Sequence, residues 1–464
     1  MSAPVLWVVV PAAGGLFLWS LRRNQNLTLG LSAGLCFILS LAAAVIPINA
    51  PVNLGSLSFT LSSTLPVLGR RFILSPEDRM ILTLLYGIGA VWFGLALMAW
   101  PHRLFAPFGL GMLAALVAAL AVEPFLYAAL LVETAVLFSI PFLSPPGRPV
   151  GPGLQRYLIF QTLAVPAILF AGWLMNAAGV NPAETASFNR AGLFLGLGFA
   201  FWLAVFPFYN WLPMMMTETH PFPVGFVLSL LPTAILLLGL DFINATPFLR
   251  SSEDLYNVLR VVGVMMVFTA GLWAMFQVNL ARIFGYAVIF ETGFALFAIS
   301  LNNLPGWMLF AASFMPRLLA LLVLAFSLAS LENHAIPLTL AGVRGLAHKY
   351  PLISLGLLSS LLSIAGFPLL AGLPVRLEVF EQLAEISQTA FIGAAVGTAG
   401  LVFSAIQVLS ELVHSEDRSW HLGENWPERV ILIGGILFLL LFGIFPQTFY
   451  HSIIFILQAF PQIF

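Results

Sequence analysis

Residues 361–382, LLSIAGFPLLAGLPVRLEVFEQ, decide the fold. The stretch opens as an apolar helix, is interrupted by Gly366, Pro368, Gly372 and Pro374, and then carries Arg376 and Glu378. Proline lacks an N–H and clashes with the preceding turn, so no regular helix runs through 366–376. Unwound backbone at membrane depth survives only against protein or a water-filled cavity. Its freed carbonyls, near Gly366 and Ala371, need donors, and a guanidinium offers five N–H groups. The stretch reads as a broken membrane-spanning helix with Arg376 beside the break.

The remainder of the 464 residues agrees. Sixty per cent are hydrophobic and 8% are charged, against roughly 25% charged in an average soluble domain. Mean hydropathy is +1.01. These values exclude a soluble globular enzyme, a disordered chain and a nucleic-acid binder with a basic face. The net charge of −1 identifies no partner. Cys36 is the only cysteine, so the chain by itself builds no disulfide, iron–sulfur site or thiolate zinc site. All seven histidines fall in loops or near span ends, which disfavours a haem between mid-span histidines.

A span needs about 20 apolar residues. Fourteen are expected, at about 4–20, 28–47, 80–99, 105–122, 125–143, 157–176, 191–213, 221–243, 257–277, 280–300, 306–330, 351–380, 388–412 and 428–447. The fold class is an all-α polytopic membrane protein. Residues 451–464 read as an apolar tail at the interface. The segment 48–79, rich in Pro, Gly and Ser, suggests a small β-hairpin. Arg22 and Arg23 follow the first span with no basic residue before it, which places the N-terminus outside. The inner loops then hold Arg22, Arg23, Arg103, Arg148, Arg156, Arg282, Arg344, Lys349, Arg418 and Arg429. The outer side holds Arg70, Arg71, Arg79, Arg190, Arg250 and Arg260, and ten against six obeys the positive-inside bias.

Ionisable groups within spans are candidates for function. Glu133 is central in 125–143, Glu291 is central in 283–300, and Arg317 lies within 306–326. Arg376 and Glu378 follow the break. Asp241, near a span end, reads as snorkelling. The set reads either as ion pairs joining helices or as a buried charged path. The span 191–213 carries Pro207 and Pro213, a second interruption, and paired broken helices suggest an inverted-repeat transporter.

Several ordered segments resemble the antiporter-like, proton-translocating membrane subunits of respiratory complex I, membrane-bound hydrogenases and multisubunit Na⁺/H⁺ antiporters. They are FILSPEDRMILTLLYGI (72–88), LLVETAVLFSIPF (130–142), FPFYNWLP (206–213) with TETHPFPV (217–224), VNLARIFGYAVIFETGF (278–294), and GVRGLAHKYPL (342–352) leading into 361–380. The resemblance implies three N-terminal helices with an outer hairpin-like loop over 1–104. It implies inverted five-helix repeats over 105–243 and 257–412, with broken helices 7 and 12, and a last helix and tail over 428–464. Glu133 and Glu291 would be equivalent, as would Trp202 and Arg376. No metal or cofactor is expected in this chain. Flavin, iron–sulfur clusters and quinone would sit in partner subunits, the neighbours being other membrane-arm subunits and the lipid bilayer, with no nucleic acid. A bacterial inner, or thylakoid-type, membrane follows from the same resemblance.

The departures from the family pattern bear on conduction. The family's seventh-span lysine aligns with Trp202, and its eighth-span lysine or histidine falls near Pro232 to Ala234. The Asp and Lys between spans nine and ten align with Asn279 and Ala281, leaving Arg282. A histidine aligns with Ser313, and two lysines with Arg317 and Arg376. Lysine can release a proton when desolvated, whereas arginine does not. The proton-path candidates at the positions the resemblance marks are Glu133, Glu291, Arg317, Arg376 and Glu378, with Arg376 expected to hold water, stabilise Glu378 or balance Glu133 and not to carry protons. A membrane-arm subunit of a redox-driven pump, a cation/proton antiporter subunit and a non-conducting structural subunit all remain open at this point.

Overall fold

The computed structural model describes residues 2–54, 57–67, 69–144, 147, 149–180, 185–414 and 420–463. Arg148 and Arg418, counted above with the inner loops, lie outside the described residues. A π-helical turn, Val5–Val9, leads into α1 (Val10–Ser20) and α2 (Gln25–Val45). Four short strands follow: β1 (Pro51–Leu54), β2 (Leu57–Thr60), β3 (Thr64–Val67) and β4 (Arg70–Ile73). Next come α3 (Arg79–Ala99), α4 (Phe105–Ala121), β5 (Val122–Glu123), α5 (Ala128–Leu143), α6 (Pro152–Val180), α7 (Thr185–Trp202), α8 (Trp211–Glu218) and α9 (Pro221–Ala245). The second half holds α10 (Pro247–Arg250), α11 (Glu253–Met275), α12 (Leu280–Ser300), α13 (Leu304–Asn333), α14 (Pro351–Ala365), α15 (Leu373–Ile386) and α16 (Gln388–Leu412). The last two helices are α17 (Trp426–Ile444) and α18 (Gln447–Ile454).

Each stretch read as a span carries a helix, and 191–213 and 351–380 each carry two helices separated by unwound backbone. Ten of the described helical segments are long and apolar enough to cross a membrane, with Val5–Ser20, Phe105–Ala121 and Pro351–Ala365 as shorter apolar companions. The chain is a multi-pass integral membrane protein.

Helices α4, α9, α12 and α13 are mostly apolar and mostly buried, as expected for the centre of a bundle. Helices α2, α11, α16 and α17 surround them and turn large apolar side chains outward, among them Phe37, Val261, Ile392 and Leu437. Packing of α9 on α13 and of α8 on α12 joins the two sets of helices through one core. On the arginine-rich face, Asn333 Nδ2 donates to the Ala99 carbonyl at 3.4 Å, and His334 Nε2 lies 3.2 Å from Glu428 Oε2. These contacts tie the ends of α3, α13 and α17 together.

On the opposite face there are two hairpins rather than one. β1 pairs with β2, and β3 pairs with β4, which also takes up β5. Thr64 faces Ile73, and Arg71 faces Glu123 with an ion pair at 3.4 Å. The tail differs from the expected interfacial segment. Phe449, Ile453, Ile456, Leu457 and Phe460 are buried, and Gln462 N–H donates to Asn244 Oδ1 at 2.8 Å. Five apolar side chains at near-helical spacing find the bundle's end a better partner than the interface.

Helices α11 and α16 cross at backbone contact. A Cβ on Gly271 would lie 1.7 Å from the Gly397 carbonyl oxygen, and one on Gly397 would lie 2.3 Å from that of Val267. Small residues permit such approach where lipid gives helices no hydrophobic reason to associate. Gly271→Val should destabilise the purified protein by about 1–3 kcal/mol, the usual range for overpacking, read as a lowered Tm in detergent. Gly434→Ala, where nothing lies within 4 Å of the added Cβ, should leave Tm unchanged.

Candidate functional site

The break in 361–382 is built by its own residues. Helix α14 ends at Ala365, Gly366 adopts φ +78°, and α15 starts at Leu373. In a regular helix the Ile364 carbonyl would accept from residue 368, but Pro368 has no N–H to give. Arg376 supplies the donor, with Nε 3.3 Å and Nη2 3.2 Å from the Ile364 oxygen. The recipient near Gly366 is thus the Ile364 carbonyl. A Cβ on Gly366 would come within 2.8 Å of Arg376 Cγ, so glycine there satisfies both the left-handed turn and the passage of the arginine.

The same guanidinium bonds Glu291 Oε1 from α12, both side chains being 5% exposed. Its Cζ sits 3.8 Å above the Phe294 ring and 5.4 Å from that of Phe290, a placement that favours arginine over lysine. Arg317, on α13, is 1% exposed and close enough to feel the charges of both Glu291 and Arg376. Its Nε, Nη1 and Nη2 have no hydrogen-bond partner among the described residues. A buried guanidinium in that state is tolerable only when water or a neighbouring chain supplies acceptors. Glu291, Arg317 and Arg376 therefore form one buried cluster with a net charge of +1 when Glu291 is ionised.

Glu378 does not join the cluster. It is exposed on α15 and forms no ion pair among the described residues, so Arg376 does not stabilise it as expected. Two residues apart on a helix point to nearly opposite sides. Glu133 does not meet Arg376 either. Its Oε1 accepts from Thr162 Oγ1 of α6 at 2.7 Å, and its buried Oε2 has no partner among the described residues.

Beside Glu133 the first half holds uncharged polar groups that the reading of the sequence missed. Ser139 Oγ and Tyr157 OH are 3.1 Å apart. Gln161, fully buried, donates from Nε2 to the Trp202 carbonyl at 3.2 Å, where α7 ends. The available signal was a Gln-Thr pair inside the run YLIFQTLAVPAILF. Trp202 is buried, and its indole N–H has no partner among the described residues. Among the described residues no group of His, Cys, Asp and Glu is placed to hold a metal ion.

Removing one partner of a buried ion pair costs about 3–5 kcal/mol, whereas replacing both can be nearly neutral. Arg376→Met and Glu291→Gln should each lower Tm markedly, and the double variant should lower it less than their sum. A double-mutant cycle on thermal unfolding in detergent measures this, and additivity would contradict the pairing.

Comparison with known proteins places this geometry. Residues 173–402 match the family model described as NADH:quinone oxidoreductase/Mrp antiporter, TM. NADH-quinone oxidoreductase subunit N of Pelagibacter ubique is 28% identical over 262 residues, covering 55% of each chain. The protein of that name from Cereibacter sphaeroides is 25% identical over 324 residues, covering 67% of this chain and 70% of its own. The match to the Pelagibacter protein thus spans about half of that relative's length. The fold is similar to a chain of the Mrp complex from Dietzia sp., with a TM-score of 0.82, 15% identity and 99% of both chains covered. It is also similar to a chain of respiratory complex I from Thermus thermophilus, with a TM-score of 0.75, 19% identity and 99% of both chains covered. Residues 173–402 thus match the NADH:quinone oxidoreductase/Mrp antiporter family, and the whole fold is similar to membrane subunits of such complexes.

Proposed function

We propose that the chain is an antiporter-like membrane-arm subunit of a complex I-like, redox-driven proton pump. It sits in a bacterial inner, or thylakoid-type, membrane with the N-terminus outside. Other membrane-arm subunits flank it, and flavin, iron–sulfur clusters and quinone belong to partner subunits. Fourteen spans with inverted repeats over 105–243 and 257–412 are part of this reading. The observation that carries it is the buried Glu291–Arg376 pair at the break between α14 and α15, with Arg317 beside it.

Neither arginine releases a proton, so Glu291 holds the exchangeable proton of the cluster. Its carboxylate has two fixed cations within electrostatic reach, one bonded and one not. A change of charge in a neighbouring subunit can shift Glu291 between them or drive its protonation. The first half holds Glu133 without a lysine at the position of Trp202, so its path is degenerate. That absence favours a second reading, in which the first half is structural and conducts nothing.

The test is proton uptake per electron in vesicles containing the assembled complex. Glu291→Gln should slow this chain's proton transfer by about 10²-fold, the lower end of what a positioned acid or base contributes. Glu133→Gln should leave most of it. If Glu133→Gln abolishes this chain's share with assembly intact, the degenerate-path reading fails. Trp202→Lys should raise proton leak if a dormant path persists, and no change in leak supports the structural reading of that half. Purification through a tag on this chain separates the assemblies: redox subunits support the pump, and small antiporter subunits alone overturn it in favour of a cation/proton antiporter.

A further inference from the structure

A cavity of about 520 Å³ lies between the two sets of helices, apart from the buried cluster. Arg156 from the start of α6, Arg282 from the first turn of α12, Tyr209 and Asn210 from the turn between α7 and α8, Gln277 and Tyr286 line it. Both arginines are exposed and reachable. No aspartate or glutamate is among the lining residues, and neither arginine forms an ion pair among the described residues. Among the described residues Arg156 Nη1 has only the Met214 sulfur at 3.2 Å, a weak acceptor. Two guanidiniums, two phenol hydroxyls and two side-chain amides thus surround one space with donors in excess and no anion to receive them.

The surroundings indicate what fills it. Ile159 and Leu163 continue from Arg156 along an exposed side of α6, and Trp273 and Phe276 are exposed at the end of α11. A polar, cationic cavity thus adjoins apolar outer surface carrying an indole, the side chain enriched at the membrane interface. Both arginines lie at helix ends that the positive-inside bias assigns to the cytoplasmic side, where basic pockets between helices bind lipid phosphates. Arginine also matches phosphate oxygens in a bidentate fashion. We propose that this cavity binds a phosphate group, carried by an anionic phospholipid of the inner leaflet or by the free anion. The inference stands apart from the proposed proton path.

The assembled complex is delipidated and reconstituted into nanodiscs of phosphatidylcholine, of phosphatidylcholine with phosphatidylglycerol, or of phosphatidylcholine with inorganic phosphate in the buffer. Bound lipid is counted by native mass spectrometry and Tm is recorded. The native complex should retain phosphatidylglycerol over phosphatidylcholine, and Arg156→Gln and Arg282→Gln should each reduce that retention about fivefold. Replacing both by Lys should restore part of it, because the charge stays while the bidentate fork is lost. A Tm rise with inorganic phosphate, absent in the double Gln variant and without lipid preference, assigns the site to the free anion. Equal retention of both lipids together with no effect of phosphate overturns the proposal. So does a carboxylate of a neighbouring subunit paired to Arg156 or Arg282 in the complex. If the Gln variants fail to assemble, the native complex across the three preparations decides alone.

Discussion

The hydrogen bonds from Arg376 to the Ile364 carbonyl and to Glu291 are the contacts on which the second half depends. Pro368 takes away the donor that a helix would give Ile364, and the guanidinium restores it. The same group neutralises the carboxylate buried on α12 and lies over two aromatic rings of that helix. One side chain therefore stabilises unwound backbone, a buried charge and the packing of α12 against the broken helix. Each of these would be costly alone at membrane depth. Gly366 then becomes obligatory, because it must turn left-handed and leave room for the arginine's stem.

Arginine at this position has a chemical consequence. A lysine could pair with Glu291 and could also give up its proton, but its three N–H groups radiate from a single nitrogen. The planar guanidinium reaches backbone, carboxylate and ring faces together, and it stays charged. Anchoring is gained and titration is lost. Arg317 is a second permanent cation buried in the bundle. In the first half the buried Trp202 fills space, while Gln161, Ser139 and Tyr157 supply hydrogen bonds without charge.

Local features were legible in the sequence and tertiary ones were not. The break at 366–372 was legible because Gly and Pro act through their own backbone. The helices were legible because apolar runs near 20 residues admit few alternatives in a bilayer. The partner of Arg376 was not, since Glu291 lies 85 positions away and the adjacent Glu378 offered a nearer but wrongly directed candidate. The polar interior of the first half escaped notice because Gln161 and the hydroxyls carry no charge. The second hairpin depends on β5, which comes from beyond α3 and α4, and the docking of the tail depends on surfaces that no local pattern reveals.

Charge accounting then separates the two halves. With both carboxylates ionised, Glu133, Glu291, Arg317 and Arg376 balance to zero over the chain. The balance is uneven in space, with Glu133 in the first half and a net positive cluster in the second. Arginines cannot relieve that field by losing protons, so only protonation of a glutamate, movement of a carboxylate or a charge from a neighbouring subunit can alter it. Arg317, without a hydrogen-bond partner among the described residues, keeps an open demand for acceptors beside Glu291. A fixed positive centre with one movable carboxylate responds to an incoming negative charge more readily than a neutral, fully bonded pair. Two arginines that hold their protons thus leave Glu291 as the titrating group of the cluster and make the cluster sensitive to the charge state of its neighbours.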